Sequence, residues 1–400
     1  MDNFLPFDIT IYEAISILLI LILFTILIFS NCRRRHTLVS HLKSNKFNAN
    51  DSKSTTPISV IVLADTQNGG DLMKTIPLHF SQKHPDFEVI VVNTDPTGKV
   101  HDILTILSAE YPELRSTFIP DTVCNVSVRK LAIMLGIKAA KKGAVVVTDA
   151  NCYPQSEYWL SAMTRHFDEG KDIVIGYCNI DNSIDKDFGS RYRNYDQTVE
   201  AAQYLSAAIH DHTFRADGRN IAYRTQLFFD NKGFSKTLNL KYGDDDIFIT
   251  EITTKGNTAV EISPESILEQ KDPDYCRYYS FNRSHRVFTL QHTHSSALLI
   301  GSIQSVLYYA FLALSLGLVV WSTSIFFYSG NIIRPCILGG LSIVFYLTEC
   351  FFNINAFRRY ARILKASKLF FTVPVFRFIR PMINRAYSVK ANRADNYTWE

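Results

Sequence analysis

The most concentrated chemical signal in this 400-residue chain is a run of three carboxylates, Asp244, Asp245 and Asp246, which directly follows Gly243. Adjacent carboxylates repel one another, so the run is either a solvated acidic turn or a site that uses one of the acids. The apolar, helix-like segment IFITEI follows at once, and the start of a helix stabilises negative charge. One of the three acids could therefore act as a general base toward a hydroxyl group.

A second group of oxygen ligands ends an apolar, β-branched run. Asp149 and Asn151 follow the segment 145–148 and are two residues apart. In an extended backbone such residues point the same way, so both can face one cation. Oxygen ligands of this kind suit Mg²⁺ or Mn²⁺ bridging a diphosphate, although Asp-x-Asn is also typical of an ordinary turn.

Acids also follow two earlier apolar runs. Asp65 comes after the run 58–64, and Asp95 comes shortly after the run 87–92. The carboxyl ends of strands line the ligand crevice of an open α/β sheet, so Asp65, Asp95 and Asp149 are expected to meet there. Each acid could simply cap the helix that follows it. Together they favour a site that binds the base and ribose of a nucleotide.

The sequence lacks the two common phosphate-binding loops. The segment ADTQNGGD after the first run does not match GxGxxG, and no GxxxxGK[ST] segment is present. A diphosphate must then be held in another way, most simply by a divalent metal ion on carboxylates. This requirement agrees with the pair formed by Asp149 and Asn151.

Two polar segments are candidates for substrate contacts. Arg219 and Asn220 lie in a turn before a strand-like segment and could hold acceptor or sugar hydroxyls, unless this is an ordinary charged loop. Arg283 and Arg286 lie in a basic, aromatic stretch where they could clamp a leaving diphosphate. The same stretch also fits a basic collar at a membrane interface.

The elements that must position these side chains alternate between strands and helices. Runs at 58–64, 87–92 and 144–148 predict buried strands, and Ser127–Lys142 predicts a helix that Gly143 ends. The apolar face of this helix is predicted to contain Val128, Leu131, Ala132, Leu135 and Ala139. Fully apolar strands that alternate with helices predict an α/β fold, with a mainly parallel sheet covered by helices on both faces.

Three apolar runs, 14–32, 297–321 and 335–352, have about the length that a membrane span requires. The positive charges follow the first run rather than precede it, and no small-residue cleavage site is present. These features favour a retained anchor over a cleaved signal peptide. A short uncharged stretch, 322–331, would join the second and third spans into a hairpin.

The distribution of Lys and Arg predicts the orientation in the membrane. Basic residues cluster at 33–46 and 358–368, after the first and third runs, whereas residues 1–13 contain acids and no base. The positive-inside rule then places the N-terminus outside, and the central part and the C-terminus in the cytoplasm. Glu349, near the end of the third run, could snorkel to the interface or form an ion pair, and an interfacial carboxylate is the simplest interpretation. The tail 369–387 is predicted to lie in the headgroup plane, or else to pack on the central unit.

Composition excludes two broad classes of protein. Hydrophobic residues make up 47% of the chain and the net charge is only +4, which excludes disorder as the main state. The small excess of basic residues also argues against a nucleic-acid partner. The predicted organisation is an anchor (1–32), a basic and polar linker (33–56), a cytosolic α/β unit (57–290), a membrane hairpin (297–352) and a basic amphipathic tail (353–400).

The order of these motifs resembles that of membrane-bound bacterial family 2 glycosyltransferases, which have a GT-A fold. The segment VRKLAIMLGIKAAKKGAVVVTDANCYPQSEYWL is similar to the stretch that carries the family's metal-binding DxD motif. GRNIAYRTQLFFDNKGF is similar to its acceptor-side segment, and GDDDIFI to its base motif. The resemblance covers about residues 55–290 and extends to the hairpin. The joint order of the motifs, rather than any one of them, makes the match specific.

The resemblance implies a role for each matched residue. The implied site residues are Asp65, Asp95, Lys130 and Asp149 for the donor, Asp149 and Asn151 for the metal, Arg219 and Asn220 for the acceptor, Arg283 and Arg286 for the diphosphate, and Asp245, flanked by Asp244 and Asp246, for base catalysis. The chain departs from the family at two places. Asn151 replaces a second Asp and offers less charge to a cation. The QxxRW element is reduced to Arg283–Val287, without Gln or Trp.

The resemblance thus implies an inverting enzyme that uses a nucleotide-sugar donor, Mg²⁺ or Mn²⁺, and a lipid-linked or polysaccharide acceptor. It would work at the cytoplasmic face of the bacterial inner membrane, among membrane lipids and other polysaccharide-assembly proteins. Asn151 and the reduced QxxRW element motivate a second hypothesis, a catalytically inactive relative that acts as a membrane scaffold. A nucleotidyltransferase is a third hypothesis, but it would require a Gly-rich basic loop that ADTQNGGDLMK matches poorly.

Overall fold

The computed structural model contains an α/β unit joined to three long apolar helices. It describes residues 10–48, 54–95, 98–120, 126–180, 187–237, 239–271, 275–290, 293, 296–329 and 332–392. The strands are β1 (Ile58–Ala64), β2 (Phe87–Asn93), β3 (Arg115–Phe118), β4 (Ala144–Asp149), β5 (Cys152–Pro154), β6 (Ile173–Ile175), β7 (Cys178–Ile180), β8 (Ile221–Arg224), β9 (Thr258–Val260) and β10 (Leu268–Gln270). The helices are α1 (Ile11–Ser44), α2 (Leu72–Phe80), α3 (Lys99–Glu110), α4 (Val128–Ala139), α5 (Trp159–Asp168), α6 (Phe188–Ala208), α7 (Thr225–Asp230), α8 (Ile247–Ile252), α9 (Tyr275–Leu290), α10 (Ser296–Ser329), α11 (Ile333–Ile363) and α12 (Val373–Asn392).

The main sheet has seven strands in the order β3-β2-β1-β4-β8-β6-β9. The first four strands of this order are parallel, and β8 runs antiparallel to both β4 and β6. Ala64 pairs with Asn93, and Leu63 with Asp149, so the carboxyl ends of β2, β1 and β4 lie side by side. The predicted mainly parallel sheet is confirmed. A second sheet has the order β5-β10-β7.

Both faces of the main sheet are covered, as its apolar strands require. Ile61 and Leu63 of β1 point into a core formed with α4 and α6. Val60 and Val62 point to the opposite side, into a core formed with α2, α3 and α5. Complete burial of each such side chain contributes about 1.5–3 kcal/mol. The two cores fix the sheet, and therefore the edge on which the acids lie.

Helix α4 begins where the sequence predicts, with the Ser127 hydroxyl accepting a hydrogen bond from the Lys130 amide at 3.3 Å. It ends three residues early, because Ala140 already has an extended backbone and Gly143 is not its cap. The predicted apolar face was also wrong at Val128, which is 47% exposed. A Cβ on Gly136 would lie 2.5 Å from Ile61 Cγ2, so this glycine lets the helix approach the sheet closely. Gly136 therefore lies at the middle of the buried face of α4.

Helices α1, α10 and α11 are long and apolar enough to cross a membrane, and Leu27 and Phe311 pack in a core that they share. They extend beyond the predicted spans. Residues 33–44, predicted as linker, are helical, as are residues 322–329 of the predicted hairpin loop. At the ends of α1 and α11 that face the α/β unit, packing explains why the helices continue. Leu38 of α1 and Tyr360 of α11 are buried in the core of the α/β unit, which continues both helices past the apolar runs.

The tail forms α12 and packs on α6 and α11, which is the alternative that the sequence left open. Phe376 is fully buried and contacts Tyr192 edge to face, at a centroid distance of 5.6 Å. Glu349 is buried and pairs with Arg377 of α12, which is the pairing alternative and not the interfacial one. Phe378 is exposed on the opposite face of α12. The placement of this helix in the headgroup plane of a membrane stays a prediction.

Candidate active site

The strand order brings three predicted acids to one edge of the sheet. Asp65, Asp95 and Asp149 follow or end β1, β2 and β4, which are neighbours. Asp65 Oδ1 accepts hydrogen bonds from the amides of Gln67 and Asn68 at 2.8 and 2.9 Å, so it stabilises the turn after β1 and does not cap a helix. Burial raises the pKa of Asp149, and the negative charge of Asp65 contributes in the same direction.

Arg129, in the first turn of α4, joins this edge to the acidic run. Its Nη1 donates to Asp149 Oδ1 at 2.7 Å, and its Nε donates to Asp244 Oδ2 at 2.8 Å. Its Nη2 donates to the Gly218 carbonyl at 2.9 Å. A guanidinium has five N–H donors, so two of them have no partner among the described residues. One permanent cation therefore joins the sheet edge to an acidic run that lies 115 residues after that cation in the chain.

Sequence reasoning missed Arg129 and selected its neighbour Lys130. The Lys130 ammonium donates to the carbonyls of Thr237 and Leu240 at 2.7 and 3.0 Å, and to the Thr237 hydroxyl at 3.1 Å. Burial lowers its pKa to about 8. All three N–H groups of the ammonium are engaged in holding the segment before the acidic run, and the contact of Lys130 with the nucleotide-sugar donor stays a prediction. One step along a helix rotates a side chain by about 100°, so Arg129, and not Lys130, reaches the sheet edge.

The acidic run is presented by a tight turn. Gly243 has a φ of +106°, which only glycine adopts readily, and a Cβ there would lie 2.7 Å from Ile247 Cδ1. Asp246 then caps α8 by accepting from the Ile247 amide at 2.7 Å, and it also accepts from the Thr289 hydroxyl of α9. Asp244 is bound by Arg129, as described above. Two of the three acids are thus engaged in holding neighbouring elements.

Asp245 differs from both of its neighbours, because no described residue donates a hydrogen bond to its carboxylate. Burial raises its pKa to about 7, with the charges of Asp246 and Asp244 adding to the effect. The charges of Arg215 and Arg286 oppose this shift of the pKa, although neither residue donates a hydrogen bond to the Asp245 carboxylate. An unengaged carboxylate that titrates near neutral pH has the properties of a general base.

Few side chains at this edge could act as ligands of a metal ion. Asp149 offers one carboxylate, and Asn151 offers an amide oxygen that already accepts from Gln270 Nε2 at 3.1 Å. Within the described ranges, no group of three or more His, Cys, Asp or Glu residues could hold an ion. Mg²⁺ is commonly bound by one or two carboxylates together with substrate phosphates. Asp149 and Asn151 therefore fit an ion that a diphosphate completes, and do not fit one held by the protein alone.

The predicted acceptor residues are engaged inside the fold. Arg219 forms a two-pronged pair with Asp217, with both N–O distances 2.7 Å, and also donates to Gln270 at 2.5 Å. Asn220 is fully buried, accepts from the Trp159 indole at 3.1 Å, and donates to two backbone carbonyls at 2.9 Å. Their hydrogen bonds join β7, β8 and β10, and the contact of Arg219 and Asn220 with the acceptor stays a prediction.

The predicted diphosphate residues bind acids of α6. Arg283 and Arg286 donate to Glu200 at 3.0 and 2.7 Å, and Arg215 pairs with Glu200 as well. Arg283 also lies 3.5 Å from Asp196. We refer to Asp196 and Glu200 as the α6 cluster. Arg283 is thus neutralised and almost fully buried, whereas the side chain of Arg286 is 21% exposed. The contact of either residue with a diphosphate stays a prediction.

Comparison with known families identifies the α/β unit. Residues 71–229 match the family described as glycosyl transferase family 2. The chain contains a family 2 glycosyltransferase domain. The match spans β4 and the segment with Arg219, and it ends before the acidic run. A search among curated proteins finds no match to this glycosyltransferase.

Solved structures agree at the level of the fold. A mannosyltransferase of Pyrobaculum calidifontis, PcManGT, solved in complex with GDP-Man and Mn²⁺, is 16% identical to the glycosyltransferase, with a TM-score of 0.51 and 95% of each chain covered. This likeness shows a GT-A fold and confirms the predicted fold class. A fragment of S. aureus TarS, residues 1–349, is 15% identical with a TM-score of 0.41, and the match covers 84% of this chain and 89% of that fragment. That score is too low to support an argument.

Proposed function

We propose that the chain is a membrane-anchored, inverting glycosyltransferase. It transfers a sugar from a nucleotide-sugar donor to a hydroxyl of a lipid-linked or polysaccharide acceptor at the cytoplasmic face of the membrane. The observation that carries this proposal is the state of Asp245. Its carboxylate has no hydrogen-bond donor among the described residues, and its pKa is raised to about 7, beside the edge where the other acids meet.

Asp245 provides the proton transfer in this mechanism. Its carboxylate removes the proton from the acceptor hydroxyl while that oxygen attacks the anomeric carbon of the sugar. The bond to the diphosphate breaks on the opposite face of the ring, so the configuration inverts. General-base assistance of this kind is typically worth about 10²–10⁴-fold in rate. Asp244 and Asp246 keep the base in place and raise its pKa, and they do not themselves react.

The carboxyl edge of the sheet provides the donor site. Asp65 and Asp95, at the ends of adjacent strands, are positioned to accept hydrogen bonds from the base and ribose. Arg129 directs its two remaining donors toward the diphosphate, where charge develops as the bond breaks. Asp149 and Asn151 would hold the divalent cation. When bound, that cation offsets charge on the leaving diphosphate.

The membrane placement rests on the three apolar helices and their charged ends. Basic residues follow α1's apolar run and the apolar part of α11, and both ends pack into the catalytic unit. The positive-inside rule places these ends in the cytoplasm. A cytoplasmic site would have access to nucleotide-sugar donors and, through α1, α10 and α11, to lipid-linked acceptors. The bacterial inner membrane is the location that this arrangement favours.

A donor panel with the purified full chain in nanodiscs tests the function. Release of nucleoside diphosphate is measured for each nucleotide sugar, with Mn²⁺, with Mg²⁺ and with excess chelator. We expect release with at least one donor and loss of release in chelator. Absence of release with every donor, in protein that still binds a nucleotide sugar, would support the inactive-scaffold hypothesis instead. Full turnover in chelator would refute the metal role of Asp149 and Asn151.

Thiol labelling tests the topology. Tyr328 is 94% exposed at the end of α10, and Glu113 is exposed on the α/β unit. In intact cells, Tyr328→Cys in a Cys336→Ser background should react with a membrane-impermeant maleimide. Glu113→Cys in the same background should react only after the membrane is opened. The reverse pattern would overturn the orientation.

A further inference from the structure

A cavity of about 70 Å³ lies where the apolar helices meet the catalytic unit, and we call it the junction cavity. It is lined by residues of α1, α6, α10, α11 and α12. One water needs about 10–15 Å³ of such space, so the volume suits a group of about five to seven oxygen-sized atoms. None of the residues assigned above to the donor or the base lines this cavity.

The charged side chains that line the junction cavity are all positive. Arg34, Arg377 and Arg380 line it, and the described lining contains no acid. Arg377 is neutralised by Glu349 and Arg380 by Asp196, both of which lie behind the lining. Arg34 donates to the Gln304 side chain at 2.9 Å, and no described carboxylate lies within ion-pair distance of it. One guanidinium therefore remains uncompensated at a partly buried position.

An unused hydrogen-bond donor points to the same space. Asn31 lines the junction cavity one helical turn before Arg34 and is 6% exposed. Its side-chain Nδ2 has no hydrogen-bond partner among the described residues. A buried N–H without a partner costs free energy, so such groups usually mark an absent ligand or water. Asn31 and Arg34 together offer a neutral and a charged donor to an anion.

The position in the fold indicates the source of the anion. Asn31 lies at the end of the apolar run of α1 and Arg34 follows it. Gln304 lies near the start of α10, and Tyr360 lies near the end of α11. All three helices thus contribute the end that faces the catalytic unit, which is the level of lipid headgroups. Basic pockets between membrane helices at this level bind anionic headgroups. We propose that the junction cavity binds the phosphate or diphosphate of a lipid-linked acceptor.

The junction cavity is connected to the base by ion pairs. Arg380 binds Asp196, which approaches Arg283, and Arg283 binds Glu200. Glu200 also binds Arg286, whose charge acts on Asp245. A lipid phosphate in the cavity would leave the sugar of a lipid-linked glycan to extend toward the catalytic site. This inference rests on the proposed function only in naming the ligand an acceptor.

Binding of a model lipid diphosphate tests the proposal. The full chain in phosphatidylcholine nanodiscs is titrated with farnesyl diphosphate, without a nucleotide sugar, and binding is measured by thermophoresis. Arg34→Gln should weaken binding about 10- to 100-fold, as expected for lost hydrogen bonds to a charged group. Asn31→Ala should weaken it by a smaller factor. Arg33→Gln, an exposed neighbour with the same charge change, is the matched control and should bind within about twofold of the wild type.

Two further titrations distinguish the sources of phosphate. Free pyrophosphate should bind at least about tenfold more weakly than farnesyl diphosphate, and phosphatidic acid should not displace farnesyl diphosphate at equal concentration. Equal affinity for pyrophosphate would overturn the lipid assignment, and displacement by phosphatidic acid would overturn the acceptor assignment. Unchanged binding in both Arg34→Gln and Asn31→Ala would overturn the site itself. Because no sugar is transferred, these outcomes are independent of the donor panel.

Discussion

Two buried groups of acids lie close together in this protein and behave in opposite ways. In the α6 cluster, Glu200 is bound by three arginines, and the pKa of its carboxyl lies well below the usual range. Asp196 accepts from Arg380 at 2.5 Å and from the Tyr279 hydroxyl at 2.6 Å, and its pKa is also lowered by nearby arginines. By contrast, the pKa of Asp245 in the acidic run is raised to about 7.

The difference follows from the number of cations in direct contact. Burial disfavours the charged form of every carboxylate, and direct ion pairs and hydrogen bonds reverse that effect. The α6 cluster has such partners and connects α6 to α9 and α12. Asp245 lies beside two further acids, while Arg129 is taken by Asp244 and Asp149. The same residue type thus stabilises the fold at one place and is ready to accept a proton at the other.

The largest expected effect comes from removing the base. Asp245→Asn keeps the size of the side chain but cannot accept a proton at neutral pH. Turnover should fall by about 10²–10⁴-fold, while donor affinity, measured by calorimetry, should stay within about threefold. If Asp245→Asn keeps near-native turnover and Asp244→Asn abolishes it, Asp244 is the base.

The next largest effect should appear in stability when the α6 cluster is broken. Glu200→Gln leaves three arginines facing a neutral amide, and an uncompensated buried charge costs about 3–5 kcal/mol. The thermal midpoint of the full chain in detergent should fall markedly. Glu157→Gln, which breaks the exposed pair with Lys83, is the control and should change stability by less than about 1 kcal/mol. Equal effects of the two substitutions would contradict the structural role of the α6 cluster.

A smaller effect is expected from Arg129→Lys, which retains the charge but cannot reach both acids at once. Loss of one or two charged hydrogen bonds should lower turnover by about 10- to 100-fold, and donor affinity should fall with it. Arg115→Lys, at the partly exposed pair with Glu88, is the matched control. A variant in which donor binding and turnover are both unchanged would remove Arg129 from the site.

Much of the fold could be predicted from the sequence, because it depends on local patterns. The β-branched run at 58–64 forms β1 within those bounds, and Ser127 caps α4 as expected. The continuation of α1 to Ser44 was missed, because the charged residues there resemble a linker. Only the tertiary structure shows that Leu38, within this segment, is buried.

The site was harder to predict, because it depends on which cation meets which acid. Type and spacing correctly drew attention to the carboxyl edge of the sheet. They could not show that Glu200 would take up Arg283, 83 residues away, or that Asn220 would be used to hold β8. Arg129 did leave a signal. A cation in the first turn of a helix opposes the helix dipole, which indicates that nearby acids hold it.

The pH dependence of kcat/KM tests the central claim most directly, because it reports the ionisation of the free enzyme's base. The base acts only when deprotonated, so activity should rise with pH, with a midpoint near 7, and be lost below it. Asp244→Asn removes a negative neighbour that raises the pKa of Asp245, so the midpoint of its remaining activity should move to lower pH. A wild-type profile that is flat from about pH 5 to 8, or a midpoint that Asp244→Asn does not move, would contradict the assignment of Asp245 as the base.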